Sequence, residues 1–247
     1  MPKIYLSPST QDWNPYITGS GSEEYNMNLL ADALEPYLRS NAITWVRNRP
    51  EMTAASSIRQ ANEIGGFDFY LALHSNASGE GNEGANRGII AFYYPTSSRG
   101  REAAEIFAAQ LREVYPLPNL VRTQETTSLG EVRQPRYPAN LIEIGYHDNY
   151  ADAIWIESSR DEIAQALARG LTELFGLPFI YPQPERTGIV RTGGTPLNLR
   201  DYPGTNGAVL ALMPNGAPLT IYGAWQGWYS VIYNGIAGYA AGAYIES

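Results

Sequence analysis

Cysteine is absent from the 247 residues, which excludes disulfides, thiolate metal sites and cysteine nucleophiles together. No apolar run approaches the roughly 18 residues needed to span a bilayer, so no transmembrane segment is expected. Basic residues are outnumbered, 17 Lys and Arg against 25 Asp and Glu, for a formal net charge of −8. No cluster of basic residues appears, and without one phosphate backbones are poorly held, so nucleic acid is not the expected partner. A Gly-x-Ser-x-Gly elbow is also missing, which argues against a Ser-His-Asp hydrolase. Gly19-Ser20-Gly21 is too short a signal for a nucleotide-binding loop and reads as a helix entry. Met1-Pro2-Lys3-Ile4 runs straight into a strand-like segment, without the basic region and long apolar core of a secretory signal. Histidine is scarce, with only His74 and His147 in the chain.

What is present divides in two. From Gly188 to Ser247 the chain carries 11 of its 24 glycines, two tryptophans (Trp225 and Trp228) and six tyrosines. Its charges there, Arg191 and Arg200 against Asp201 and Glu246, cancel, so the whole −8 lies on residues 1–187. A proline-rich stretch, Pro178 to Pro184, suits a semi-rigid linker. The expected organisation is a domain over 1–177, a linker over 178–187 and a small domain over 188–247.

The first domain alternates strand and helix signals. Ile4-Tyr5-Leu6 opens a strand. A helix over about 23–39 carries Met27, Leu30, Ala31, Leu34 and Leu38 at 3.6-residue spacing, with Ser20 and Glu23 as its capping box and Pro36 expected to kink or shorten it. Phe67–Leu73, Gly88–Tyr94 and Asn140–Tyr146 read as buried strands, and 103–115 as a helix. A last helix follows Ser159, with a stripe of Ile163, Ala166, Leu167, Gly170, Leu171 and Leu174 that Gly176 and Pro178 end. This alternation implies an α/β domain on a largely parallel sheet. The second domain has no helical period. Its short alternating segments are separated by Asn206-Gly207, Asn215-Gly216 and Asn234-Gly235, the pattern of a small all-β barrel.

Four residues attract chemical attention. His74 and His147 each follow a strand, at the carboxyl ends where open α/β sheets build their sites. Glu143 sits inside the apolar run Asn140-Leu-Ile-Glu-Ile-Gly145, where a carboxylate must be paired, bind metal or take up a proton. Glu24 opens the first long helix and, three residues before Met27, falls on its inward stripe. An acidic residue there also simply complements the helix dipole. Two histidines and two glutamates can supply a catalytic zinc with protein ligands, an open position for water and a carboxylate base.

The same residues carry a resemblance. Glu24 in Glu23-Glu-Tyr-Asn-Met-Asn28, the motif His74-Ser-Asn-Ala77, and Pro138-Ala-Asn-Leu-Ile-Glu-Ile-Gly-Tyr146 follow the pattern of the zinc-dependent N-acetylmuramoyl-L-alanine amidases of the amidase-3 type. The resemblance implies a mixed six-stranded sheet flanked by helices, one Zn2+ ion with Glu24 and His74 as ligands, Glu143 as the catalytic residue, and peptidoglycan as substrate. It also implies action at the cell wall, and export without a visible signal is known of phage lysins. Asn76 and Arg133 are candidate substrate contacts.

One departure is plain. The family places its first histidine ligand after strand one, where this chain reads Ser7-Pro-Ser-Thr-Gln11. His147 is the favoured replacement ligand. Gln11 offering a carbonyl oxygen, or touching substrate, and a site without metal are the alternatives. Residues 188–247 resemble a bacterial SH3 domain, through Leu197-Asn-Leu-Arg200, Tyr202-Pro-Gly204 and Gly227-Trp-Tyr-Ser-Val231. A non-catalytic wall-binding protein on a degenerate amidase fold is the competing expectation.

Overall fold

The computed structural model describes residues 1–247. The first part forms β1 (Lys3–Pro8), α1 (Glu23–Ser40), β2 (Thr44–Arg47), α2 (Ala54–Ile64), β3 (Phe69–Asn76), β4 (Ile89–Tyr93) and α3 (Ser98–Arg112). It continues with β5 (Val121–Glu125), the single turn α4 (Gly130–Arg133), β6 (Ala139–Tyr146), α5 (Tyr150–Ser158) and α6 (Arg160–Phe175). Its strands make a six-stranded sheet in the order β2-β1-β3-β6-β4-β5. β1 and β3, β3 and β6, and β4 and β5 pair in parallel, whereas β4 runs antiparallel to β6. The sheet is therefore largely parallel, as the alternating pattern implies, and mixed, as the resemblance implies.

Both faces of that sheet are covered, which is why β3 and β6 read as almost continuous apolar runs. On one face Tyr5, Tyr70, Ala72, Ala139 and Leu141 pack with Ile58 and Ala61 of α2 and Val132 of α4. The stripe of α1, Met27, Leu30, Ala31, Leu34 and Leu38, is fully buried. Pro36 does not shorten α1, which runs on to Ser40. In α6, Gly170 admits a close neighbour, since a Cβ there would lie 2.6 Å from Phe107 Cδ1.

Strands β3 and β6 are held in register from Tyr70↔Ala139 to His74↔Glu143, and then slip so that Asn76 faces Tyr146. Gly145 sits at the slip with φ +72°, a left-handed conformation that other residues resist. Beyond it the fully buried Asp152 pins the strand end. Its Oδ2 accepts from the Tyr146 and Gly88 backbone N–H groups, and its Oδ1 from Arg87 Nε and Tyr115 OH, all within 3.1 Å.

Packing divides the chain into two units, Lys3–Leu34 with Trp45–Leu174, and Met1–Pro2 with Glu35–Thr44 and Phe175–Ser247. The second contains β7 (Arg186–Val190), β8 (Leu197–Arg200), β9 (Val209–Met213), β10 (Pro218–Trp225), β11 (Trp228–Tyr233), β12 (Ile236–Ala241) and β13 (Ile245–Glu246). They form one antiparallel sheet in the order β13-β7-β10-β11-β12-β8-β9, around Val190, Leu199, Met213, Ile221 and Val231. Ile180, inside the proline-rich stretch, is buried with Ala42, Ala237 and Tyr239. Its N–H donates to Asn41 Oδ1 (2.7 Å), and its carbonyl accepts from Ser40 Oγ (2.8 Å) and Asn41 Nδ2 (3.0 Å).

Candidate active site

The strand pairing brings two candidate residues side by side. His74 on β3 and Glu143 on β6 are register partners, so their side chains leave the same face of the sheet. The imidazole of His74 is buried between two carboxylates. Its Nδ1 lies 2.8 Å from Glu23 Oε1 and its Nε2 lies 2.9 Å from Glu131 Oε2. Burial by itself would depress the His74 pKa, but the ring N–H bonds that Glu131 and Glu23 accept, with the charges of those carboxylates, hold it well above the ordinary value.

Glu23, not Glu24, is the helix carboxylate beside His74. Glu24 turns back on its own helix, where its Oε1 accepts from Asn28 Nδ2 at 3.1 Å. The reason lies in the helical wheel. At 100° per residue, Glu23 falls about 40° from the centre of the buried stripe and Glu24 about 60° away. The expected Ser20–Glu23 capping box is not formed: Ser22 Oγ accepts from the Tyr25 N–H, and Ser20 Oγ donates to Glu157. Glu23 is thereby free to face the sheet, where Oε1 also accepts from the Ser75 N–H (3.3 Å) and Oε2 from Asn14 Nδ2 (3.0 Å). Burial pushes its carboxyl up, but the His74 hydrogen bond and charge, with Asn14 and Ser9, outweigh this and hold it below the usual carboxylate range.

Glu131 was not legible in the sequence, since it belongs to no motif and lies on a one-turn helix. Its Oε1 accepts from Ser7 Oγ (2.6 Å) and Tyr70 OH (2.7 Å), while Oε2 holds His74. Glu143 contrasts with it. Its Oε2 is enclosed and has no hydrogen-bond partner. Burial raises its pKa to about 7; the His74 charge opposes the rise, and Glu23 and Glu131 add to it. A carboxyl poised there accepts and returns a proton near neutral pH.

The remaining candidates separate. Gln11 belongs to the cluster: its Nε2 stands 3.4 Å from His74 Nδ1 and its Oε1 accepts from Asn14 at 3.0 Å. His147 does not. Its Nδ1 is bound to Ser75 O (2.8 Å) and Oγ (3.2 Å), and its ring stacks on Tyr16 at 5.5 Å. Ser75 thus stands between His147 and Glu23, to which its N–H donates, and His147 does not join Glu23 and His74 in a group of three that could hold a metal. Asn76 Oδ1 accepts from the Ala77 N–H, and Arg133 is exposed on α4.

No three His, Asp or Glu side chains converge in metal-binding geometry. What converges at His74 Nδ1 is one imidazole nitrogen, one carboxylate oxygen of Glu23 and the side-chain amide of Gln11. Amide orientation follows from the hydrogen-bond network; turned over, Gln11 would present its carbonyl oxygen and give up the Asn14 bond. So turned, the three side chains would offer one nitrogen and two oxygens, donors that zinc accepts, with a weaker third donor than imidazole. Glu131 on Nε2 stands where a metal-binding histidine would carry its outer carboxylate.

Residues 7–173 match the family described as N-acetylmuramoyl-L-alanine amidase, and residues 195–246 match the bacterial SH3 domain. The sporulation-specific N-acetylmuramoyl-L-alanine amidase of Bacillus subtilis strain 168 is 25% identical over 185 residues, covering 72% of this chain and 69% of that protein. The amidase CwlM of Bacillus licheniformis is 24% identical, covering 72% and 70%. Among solved structures, the catalytic domain of CwlV from Bacillus (Paenibacillus) polymyxa superposes with a TM-score of 0.61 at 19% identity, covering 71% of this chain and 99% of that one. AmiC2 of Nostoc punctiforme gives 0.61 at 15%, covering 71% and 97%. With the family match extending over more than half of its length, the chain belongs to the N-acetylmuramoyl-L-alanine amidases and carries a C-terminal bacterial SH3 domain.

Proposed function

We propose that this chain cleaves the amide bond between N-acetylmuramic acid and the L-alanine of the stem peptide, with Glu143 as proton carrier and a zinc ion held by Glu23, His74 and Gln11. The observation that carries the reading is the enclosed, unpartnered Oε2 of Glu143, on the strand position paired with His74. A buried carboxylate without a partner is costly to the fold, and proton transfer to and from a bound substrate is a reason to retain it.

Zinc, when bound, polarises the scissile carbonyl and lowers the pKa of water toward neutrality. Glu143 takes a proton from the attacking water and returns it to the nitrogen of L-alanine as the C–N bond breaks. Its pKa of about 7 suits both directions of that transfer. Glu23 and His74 are fixed by Asn14, the Ser75 N–H and Glu131, so the site needs little reorganisation when substrate arrives. The SH3 domain would add affinity for the wall, and action at the cell wall follows from the substrate.

Mass spectrometry of purified peptidoglycan after incubation with the protein tests this. Release of intact stem peptides with a free L-alanine amine is expected, lost on chelation and restored by zinc. Wall left uncut while the protein binds it would refute the reading, and cleavage unaffected by chelation would refute its zinc.

A further inference from the structure

Glu131 is a buried carboxylate on a face otherwise built from Tyr5, Ile58, Tyr70, Val132 and Leu141. Placing a carboxylate there is expensive unless its oxygens are satisfied, and here both are. Ser7 Oγ and Tyr70 OH donate to Oε1 at 2.6 and 2.7 Å, from β1 and β3. Those two bonds fix the carboxylate plane and leave Oε2 on His74 Nε2, 2.9 Å away. The opposite ring nitrogen, Nδ1, is the one that faces Glu23 and Gln11.

We propose that Glu131 is a positioning residue: it keeps a proton on His74 Nε2 and thereby commits Nδ1 to the Glu23–Gln11 side of the site. Which ring nitrogen of a histidine keeps its proton is set by the hydrogen bond that nitrogen makes. Ser7 and Tyr70 complete the device by orienting Glu131. The benefit to amide hydrolysis rests on the proposed function; the placement of the proton is a property of the folded chain itself.

The test compares the full chain with Glu131→Met, which removes the acceptor, and Glu131→Gln, which removes only the charge. Proton–nitrogen correlation spectra of the imidazoles are recorded beside steady-state kinetics on solubilised peptidoglycan, with His147→Gln used to assign the signals. A protected Nε2–H signal from His74 is expected in the parent and is expected to be lost in Glu131→Met. With it, kcat should fall about 10- to 100-fold, with KM little changed and Glu131→Gln intermediate.

An unchanged His74 signal and unchanged kcat in Glu131→Met overturn the proposal. Should that variant not fold, Tyr70→Phe serves, since it leaves Glu131 in place with one donor fewer. A weakened Nε2–H signal with reduced kcat supports the proposal, and parent values in both Tyr70→Phe and Glu131→Gln overturn it. If the parent releases no alanine-terminated peptides, the amidase reading fails by itself, and the His74 signal still decides the role of Glu131.

Discussion

His74 Nδ1 and Glu23 Oε1 lie 2.8 Å apart, joining strand β3 to the first turn of α1. Glu24, its neighbour in sequence, is turned to Asn28. The two glutamates are chemically alike and differ only in where the helix points them, so exchanging each for alanine separates position from composition. Glu23→Ala should lower kcat/KM by at least about a hundredfold, or about 2.7 kcal/mol. Glu24→Ala should stay within a few-fold of the parent. Steady-state assays on solubilised peptidoglycan decide it, and a larger loss in Glu24→Ala would contradict the geometry.

The Glu143 carboxyl makes a prediction about stability. Its pKa is raised by burial to about 7 in the folded protein, whereas an unfolded glutamate titrates near ~4.3. Between those values the native state holds the proton more tightly than the unfolded state, so this group's contribution to stability falls as pH rises through that window. Above pH 7 the penalty is full, on the order of 3–4 kcal/mol. Glu143→Gln removes it. Urea unfolding of metal-free protein should therefore find Glu143→Gln more stable than the parent at pH 8, with the gap closing toward pH 4.5. A gap that is constant across this range would contradict the shift.

Gln11 occupies the turn where the family's first histidine is expected, and its amide stands 3.4 Å from His74 Nδ1. An imidazole there should bind zinc more tightly than an amide oxygen. Gln11→His is expected to raise zinc affinity at least about tenfold, corresponding to about 1.4 kcal/mol, as read by competition with a chelator of known affinity. Equal or weaker binding would show that residue 11 does not face the metal.

Asp152 is fully buried and accepts four hydrogen bonds, including those from Arg87 and Tyr115. Removing one member of such a buried network leaves Arg87 and two backbone N–H groups uncompensated. Asp152→Ala should cost about 3–5 kcal/mol of unfolding free energy, and a urea midpoint close to the parent's would contradict that role.

Much of the architecture was legible because its signals are local. The apolar runs at 67–73 and 140–146 and the stripe on α1 follow from periodicity, and Glu143 stands out as a charge inside such a run. Which helix carboxylate meets His74 was not legible in the same way. Ser20 matches a capping box with Glu23, and only the observed cap at Ser22 frees Glu23 for His74. Scarcity of histidine points to His147 as a metal ligand, but Ser75 and Tyr16 hold it through tertiary contacts that no spacing records. Glu131 was invisible for the same reason: its partners Ser7, Tyr70 and His74 meet it only once β1, β3 and α4 have packed.

The central claim, that Glu143 drives cleavage of the muramoyl–alanine amide, is tested most directly by labelling the new amino termini exposed when purified peptidoglycan is treated with the parent or with Glu143→Gln. New N-terminal alanine is expected from the parent and none above background from a folded Glu143→Gln. New alanine termini produced equally well by Glu143→Gln, or termini of any other residue from the parent, would contradict it.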